Sequence, residues 1–157
     1  PAISMIWLRS DAALGLTAVL FLILTVVATD VGAFVTGRLV GGPKLWPAVS
    51  PNKTWSGLAG AVGTSALAAA LFALTVPGAS SLRLALVGAV LAVVAQAGDL
   101  AESSLKRHFH VKDTSNLIPG HGGVMDRVDG LVAAAMAVGL GTFLVNVYSP
   151  ARALLLG

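Results

Sequence analysis

A chain of 157 residues that is 56% hydrophobic, only 11% charged and has a mean hydropathy of +0.87 cannot present a water-soluble surface all round, and its length suits one domain. With no cysteine, disulfides, thiolate metal ligands and a cysteine nucleophile are excluded together; a metal here must be held by oxygen or histidine, and the aspartates favour a hard cation such as Mg²⁺. The net charge of +3 and pI near 9.8 do not point to nucleic acid, because the basic residues gather in two loops beside apolar runs, the ordinary membrane pattern.

Residues 1 to 11, with Trp7, Arg9 and Asp11, read as an interfacial lead-in. Pro1 stands in place of an initiator methionine and no secretory signal precedes the first apolar run, so residues 1–157 are expected to be a single transmembrane domain, the C-terminal part of a longer polytopic chain. Four runs, about 12–36, 57–76, 82–98 and 130–147, approach the ~20 apolar residues that cross a bilayer. They predict an all-α membrane protein: a polytopic bundle of about four transmembrane helices with two polar cytoplasmic loops.

The first span carries an acid, Asp30, for which Arg38 at i+8 or Lys53 is the expected partner. It is followed by "VGGPKLWPAVSPNKTWSG", whose glycines and prolines forbid a continuous helix and predict a loop with defined turns. The second and third spans, joined by "PGASS", read as a helical hairpin in which Gly57, Gly60, Gly63, Gly88 and Ala92 allow close contact. Small-residue faces left over by a four-span bundle admit a homodimer. Arg38, Lys44 and Lys53 precede the second span, and Lys106, Arg107, Lys112 and Arg127 precede the fourth. Two crossings separate these loops, so they share one side, which the positive-inside rule assigns to the cytoplasm. Trp46, Trp55 and Tyr148 stand where aromatic belts are expected. The expected location is the membrane, the cell inner membrane in particular, with the polar residues on its cytoplasmic face.

Three polar constellations could carry chemistry. In "AGDLAESSLKR", Asp99 and Lys106 fall within roughly 20° of each other on a helix, with Glu102 and Ser103 between them on the same side. A solvated helix exit with i to i+4 ion pairs explains that pattern as well as a site does, although acids inside membranes are usually functional. In "PGHGGVMDRVDG", residues 119–130, Gly120, Gly122 and Gly123 leave backbone amides accessible, and a helix starting near Met125 or Asp126 would aim its positive end at phosphate oxygens. Asp126 and Asp129, at i and i+3, can hold a divalent ion, and Arg127 can fork onto phosphate or pair with an aspartate. A capping aspartate pair with a salt bridge is the plainer reading of "DRVDG", but it leaves the preceding His-Gly-Gly unexplained. The third constellation, "SPNKTWSG", residues 50–57, offers Ser50, Lys53 and Thr54 and is weak alone.

The run "SSLKRHFHVKDTSNLIPGHGGVMDRVD", residues 103–129, resembles the signature of phosphatidate cytidylyltransferases, also called CDP-diacylglycerol synthases. "DVGAFVTGRLVGGPKLWPAVSPNKTWSG", residues 30–57, resembles the family's preceding loop, except that Asn52 and Ser56 stand where the family usually has lysine and glutamate. The resemblance implies conversion of CTP and phosphatidate to CDP-diacylglycerol and pyrophosphate with Mg²⁺. It further implies that Asp99 and Asp126 ligate metal and that Lys106, Lys53 and Ser50 help bind phosphates. The catalytic candidates are therefore Asp99, Lys106, Asp126, Arg127 and Asp129. Candidate substrate-binding residues are Ser50, Lys53, Thr54, Ser103, Arg107 and Lys112, joined by His121, Gly122 and Gly123. Expected partners are CTP, phosphatidate and membrane lipid, with no nucleic acid.

The chemistry of the residues fits that reaction. Two polyanions must meet, so metal and lysines have to cancel their repulsion, and a phosphate monoester already ionised near neutral pH needs no general base. His121 then serves as a phosphate donor or loop-orienting group rather than a base. Competing readings are a transporter-like bundle, motivated by Asp30 and Asp99 near span ends, a non-catalytic subunit, and a CTP-dependent enzyme acting on another lipid phosphate or a polyprenol.

Overall fold

The computed structural model describes residues 1–109, 129–146 and 148–157. Their helices are α1 (Ala2–Arg9), α2 (Gly15–Leu39), α3 (Trp55–Ala73), α4 (Ser81–His108), α5 (Asp129–Val145) and α6 (Pro150–Leu155). Three of them, α2, α3 and α4, are long and apolar enough to cross a membrane, and α5 is a shorter apolar helix inside the predicted fourth span. This is an all-α membrane protein. Large apolar side chains such as Leu20, Val27, Leu67, Leu71, Leu86 and Val90 stand exposed on the outside of the bundle, the surface that lipid solvates. The 28 residues of α4 rise about 42 Å, more than the ~30 Å of a hydrocarbon core, so its polar last turns continue the helix beyond its apolar stretch.

α2 packs along α3, α3 along α4 and α4 along α5. Small residues set these distances. A Cβ on Gly32 would collide with Thr64 and the Gly60 carbonyl, one on Gly60 with Thr36, one on Gly88 with Ala69 and Ser65, and one on Gly98 with Ala133. Gly63, expected at a contact, instead faces open space: it stands two residues before the buried Ser65, on the other side of α3. Hydroxyls join the helices where backbones come close. Ser65 Oγ reaches Thr25 O at 3.2 Å and Gly88 O at 2.9 Å, tying α2, α3 and α4 together, and Thr64 Oγ1 donates to Ala28 O at 2.8 Å.

The segment between α2 and α3 is more ordered than a loop with turns. Gly41 and Gly42, with φ of 63° and 104°, turn the chain out of α2. β1 (Lys44–Trp46) then pairs antiparallel with β2 (Ser50–Thr54), matching Lys44 to Thr54 and Trp46 to Ser50 with an irregularity between. Strands of three and five residues, punctuated by Pro47 and Pro51, are too short to show a period of two in the sequence. Thr54 ends the hairpin and starts α3, its Oγ1 accepting from Gly57 N at 3.1 Å.

The opposite end of the bundle is closed by α1 and α6, which pack on α2 and α5. The lead-in is thus a helix that buries Leu8 and sets Trp7 6.3 Å from Phe143. α6, with Pro150 in its first turn, buries Leu154 and Leu155.

Candidate active site

The polar residues collect at one end of the bundle, where α2 ends, the hairpin folds, α4 runs past its apolar stretch and α5 begins. Lys53 on β2 reaches across to α4, its Nζ 2.5 Å from Asp99 Oδ2 and 3.4 Å from Gln96 O. Ser103, one turn further along α4, donates from Oγ to Asp99 Oδ1 at 3.3 Å. Both carboxylate oxygens of Asp99 are therefore engaged. The next turn carries a second ion pair, Lys106 Nζ to Glu102 Oε1 at 3.0 Å.

α5 enters through the tight crossing at Gly98, whose missing Cβ lets Ala133 and the Asp129 carbonyl approach α4. That brings Asp129 within electrostatic reach of Asp99 and Glu102, while its own Oδ1 accepts from Gly130 N at 2.6 Å in the first turn of α5. Asp30 on α2 faces the same space and lies within reach of both Asp99 and Lys53. It does not use Arg38, which sits 5.9 Å over the Phe34 ring: eight residues along a helix is about 12 Å, too far for a direct pair.

A cavity of about 290 Å³ lies between α2, α3, α4 and the hairpin, with Asp30, Lys53, Asp99, Asn52 and Gln96 among its walls. Four carboxylates from three helices, Asp30, Asp99, Glu102 and Asp129, thus meet two lysines at one end of an apolar bundle. The excess of acid suits a hard cation, and the two lysines suit phosphate oxygens. Among the described residues no group of three or more His, Asp or Glu is arranged to hold a metal ion by itself.

The other sequence candidates fall into three groups. Ser50 is half-buried at the start of β2 opposite Trp46, and Thr54, buried, lines the cavity while capping α3. Arg107 is exposed in the last turn of α4. Lys112, His121, Gly122, Gly123, Asp126 and Arg127 lie outside the described residues. Gln96 is a further cavity residue that the sequence patterns above do not single out: it is buried in the wall three residues before Asp99, and its only signal is a carboxamide within an apolar run, one turn from an acid.

Comparison with known proteins gives this arrangement a family. The sequence matches the family model described as the cytidylyltransferase family over residues 2–144. It is 48% identical over 134 residues to a phosphatidate cytidylyltransferase of Brucella suis, covering 85% of this chain and 50% of that protein. It is also 42% identical over 122 residues to a phosphatidate cytidylyltransferase of Bacillus subtilis, covering 75% and 44%. One from Staphylococcus epidermidis is 45% identical over 119 residues, covering 75% and 46%. The chain spans about half the length of the curated relatives it matches. With its family model matched over nearly all of the chain, this protein belongs to the cytidylyltransferase family.

Proposed function

We propose that this chain carries the catalytic part of a phosphatidate cytidylyltransferase, which converts CTP and phosphatidate to CDP-diacylglycerol and pyrophosphate at the cytoplasmic face of the cell inner membrane. The observation that carries the reading is the convergence of Lys53, Asp99 and Asp30 in a cavity sunk into the polar end of an apolar bundle, with Asp129 within electrostatic reach of Asp99. A phosphate oxygen of phosphatidate attacks the α-phosphorus of CTP; a new P–O bond forms and the bond to the bridging oxygen of pyrophosphate breaks. Lys53 and Lys106 bind phosphates and offset the repulsion of the two polyanions, and Ser103 orients Asp99. Asn52 and Gln96 offer carboxamides to the nucleotide or the lipid head group from the cavity wall. Mg²⁺ is the proposed cofactor, held by Asp99 and Asp126; when bound it neutralises developing phosphate charge. Ser50, Thr54, Arg107 and Lys112 border the substrates, and Arg127, His121, Gly122 and Gly123 complete the phosphate pocket. The proposed assembly is a homodimer, for which Gly141 supplies a small residue open to a second copy; a monomer by light scattering would refute it.

The test is CDP-diacylglycerol formation from labelled CTP and phosphatidate with Mg²⁺ in mixed micelles, comparing the parent with Asp99→Asn and Asp126→Asn. Product in the parent and its loss in both variants is the expected result. Product from another lipid phosphate or a polyprenol, but not from phosphatidate, would move the reading to a neighbouring CTP-dependent enzyme. Ion flux across liposomes with no turnover of CTP would replace it with a transporter.

A further inference from the structure

The contact between Lys53 and Asp99 raises a conflict with the role just proposed for Asp99. A carboxylate that ligates a divalent cation must present an oxygen to it, yet Oδ2 holds the Lys53 ammonium and Oδ1 the Ser103 hydroxyl. An ammonium and a divalent ion on the same carboxylate repel each other, and the half-buried setting of Lys53 and Asp99 limits how far water screens them. The two occupants therefore compete for the charge of Asp99, and the surroundings show how they can exchange. Lys53 belongs to β2, immediately before the residue that caps α3, so its backbone is fixed, while its four-carbon stem lies along a cavity into which the ammonium can turn. Its remaining hydrogen bond is a long one, 3.4 Å to Gln96 O. Lys106 is different: its partner Glu102 lies four residues away on its own helix.

We propose that Lys53 is an exchangeable internal counter-ion. It neutralises Asp99 while no divalent cation is bound, is displaced when one arrives, and thereby frees its ammonium for the phosphates of the incoming nucleotide. Cation binding and nucleotide capture are coupled through one side chain, with no movement of helices. The inference rests on Asp99 being a cation ligand, as proposed above.

The experiment titrates the full chain in detergent micelles with Mn²⁺, read by electron paramagnetic resonance without nucleotide, for the parent, Lys53→Met, Lys53→Arg and Asp99→Asn. CTP affinity at saturating Mg²⁺ is measured alongside, and the melting temperature of each variant reports its folding. Removing the competing ammonium should tighten Mn²⁺ binding about tenfold in Lys53→Met while weakening CTP binding about tenfold. Lys53→Arg, which keeps the charge, should stay within about twofold of the parent for Mn²⁺. These opposite signs are not what a purely structural ion pair yields. If Asp99→Asn loses Mn²⁺ but Lys53→Met binds it no more tightly than the parent, the counter-ion exchange is wrong and the cation site stands. If the parent takes up no Mn²⁺, or Asp99→Asn binds it unchanged, the cation reading falls and the exchange falls with it.

Discussion

At the polar end of the bundle Lys53 reaches from the hairpin to the carboxylate of Asp99; at the other end Arg83, in the first turn of α4, donates from Nη2 to Ala153 O of α6 at 2.7 Å. Each is a cation that crosses between elements, and each borders a hollow of similar size, about 290 Å³ and about 360 Å³. Their walls differ. Around Lys53 they carry Asp30, Asp99, Asn52 and Gln96; beside Arg83 they are mainly Leu, Val and Ala from α4, α5 and α6. A positive charge next to a cavity does not by itself mark a site. What separates the two ends is that carboxylates from α2, α4 and α5 converge on one and on the other the guanidinium fastens a short helix by its backbone.

The sharpest way to break that comparison is to remove each cation in turn. Lys53→Met is expected to lower kcat/KM for CTP by about 100-fold, the scale of losing one charge-stabilising donor, while Arg83→Met leaves it within about twofold. Steady-state assays in mixed micelles decide it, and equal losses would mean that both ends serve the reaction. Next in size is Gly98→Val. Its added carbons meet Ala133 and push α5 off α4, so it should lower stability by about 2 kcal/mol and also reduce turnover by moving Asp129 away from Asp99. Thermal unfolding in detergent and the same assay test both parts. Arg83→Met itself should cost about 1.5 kcal/mol, one charged hydrogen bond, without touching turnover. Ser65→Ala should cost only about 0.6 kcal/mol, the average for an interhelical hydrogen bond in a membrane, although it removes contacts to two helices. The one change expected not to destabilise is at Gly63, where a methyl group meets open space; Gly63→Ala should leave stability unchanged or raise it by up to about 0.8 kcal/mol.

The long elements were legible because a bilayer demands consecutive apolar residues. The expected spans 12–36, 57–76 and 82–98 became α2, α3 and α4 with ends displaced by a few residues, and α4 ran ten residues further because Asp99, Glu102, Ser103 and Lys106 keep helical spacing after hydropathy fails. The hairpin and α6 were not legible. A strand as short as Lys44–Trp46 and a helix as short as Pro150–Leu155 leave too few residues for a period to emerge, and both are held by contacts made elsewhere. Asp30 was recognised as unusual, yet the choice between Arg38 and Lys53 could not be made along one helix, because Lys53 arrives from a separate strand.

Membrane class, the approximate spans, the shared side of the two basic loops and the family motif follow from the amino-acid sequence, since hydropathy, charge bias and a dense signature are local properties of the chain. The choice of which carboxylate Lys53 meets, the entry of Gln96 into the cavity wall, the place of Asp129 beside Asp99, and the use of Gly98 and Gly88 to set helix spacing were decided only by tertiary packing. Each of these is an encounter between residues nineteen or more positions apart in the chain, and their meeting depends on how closely the backbones of neighbouring helices can approach.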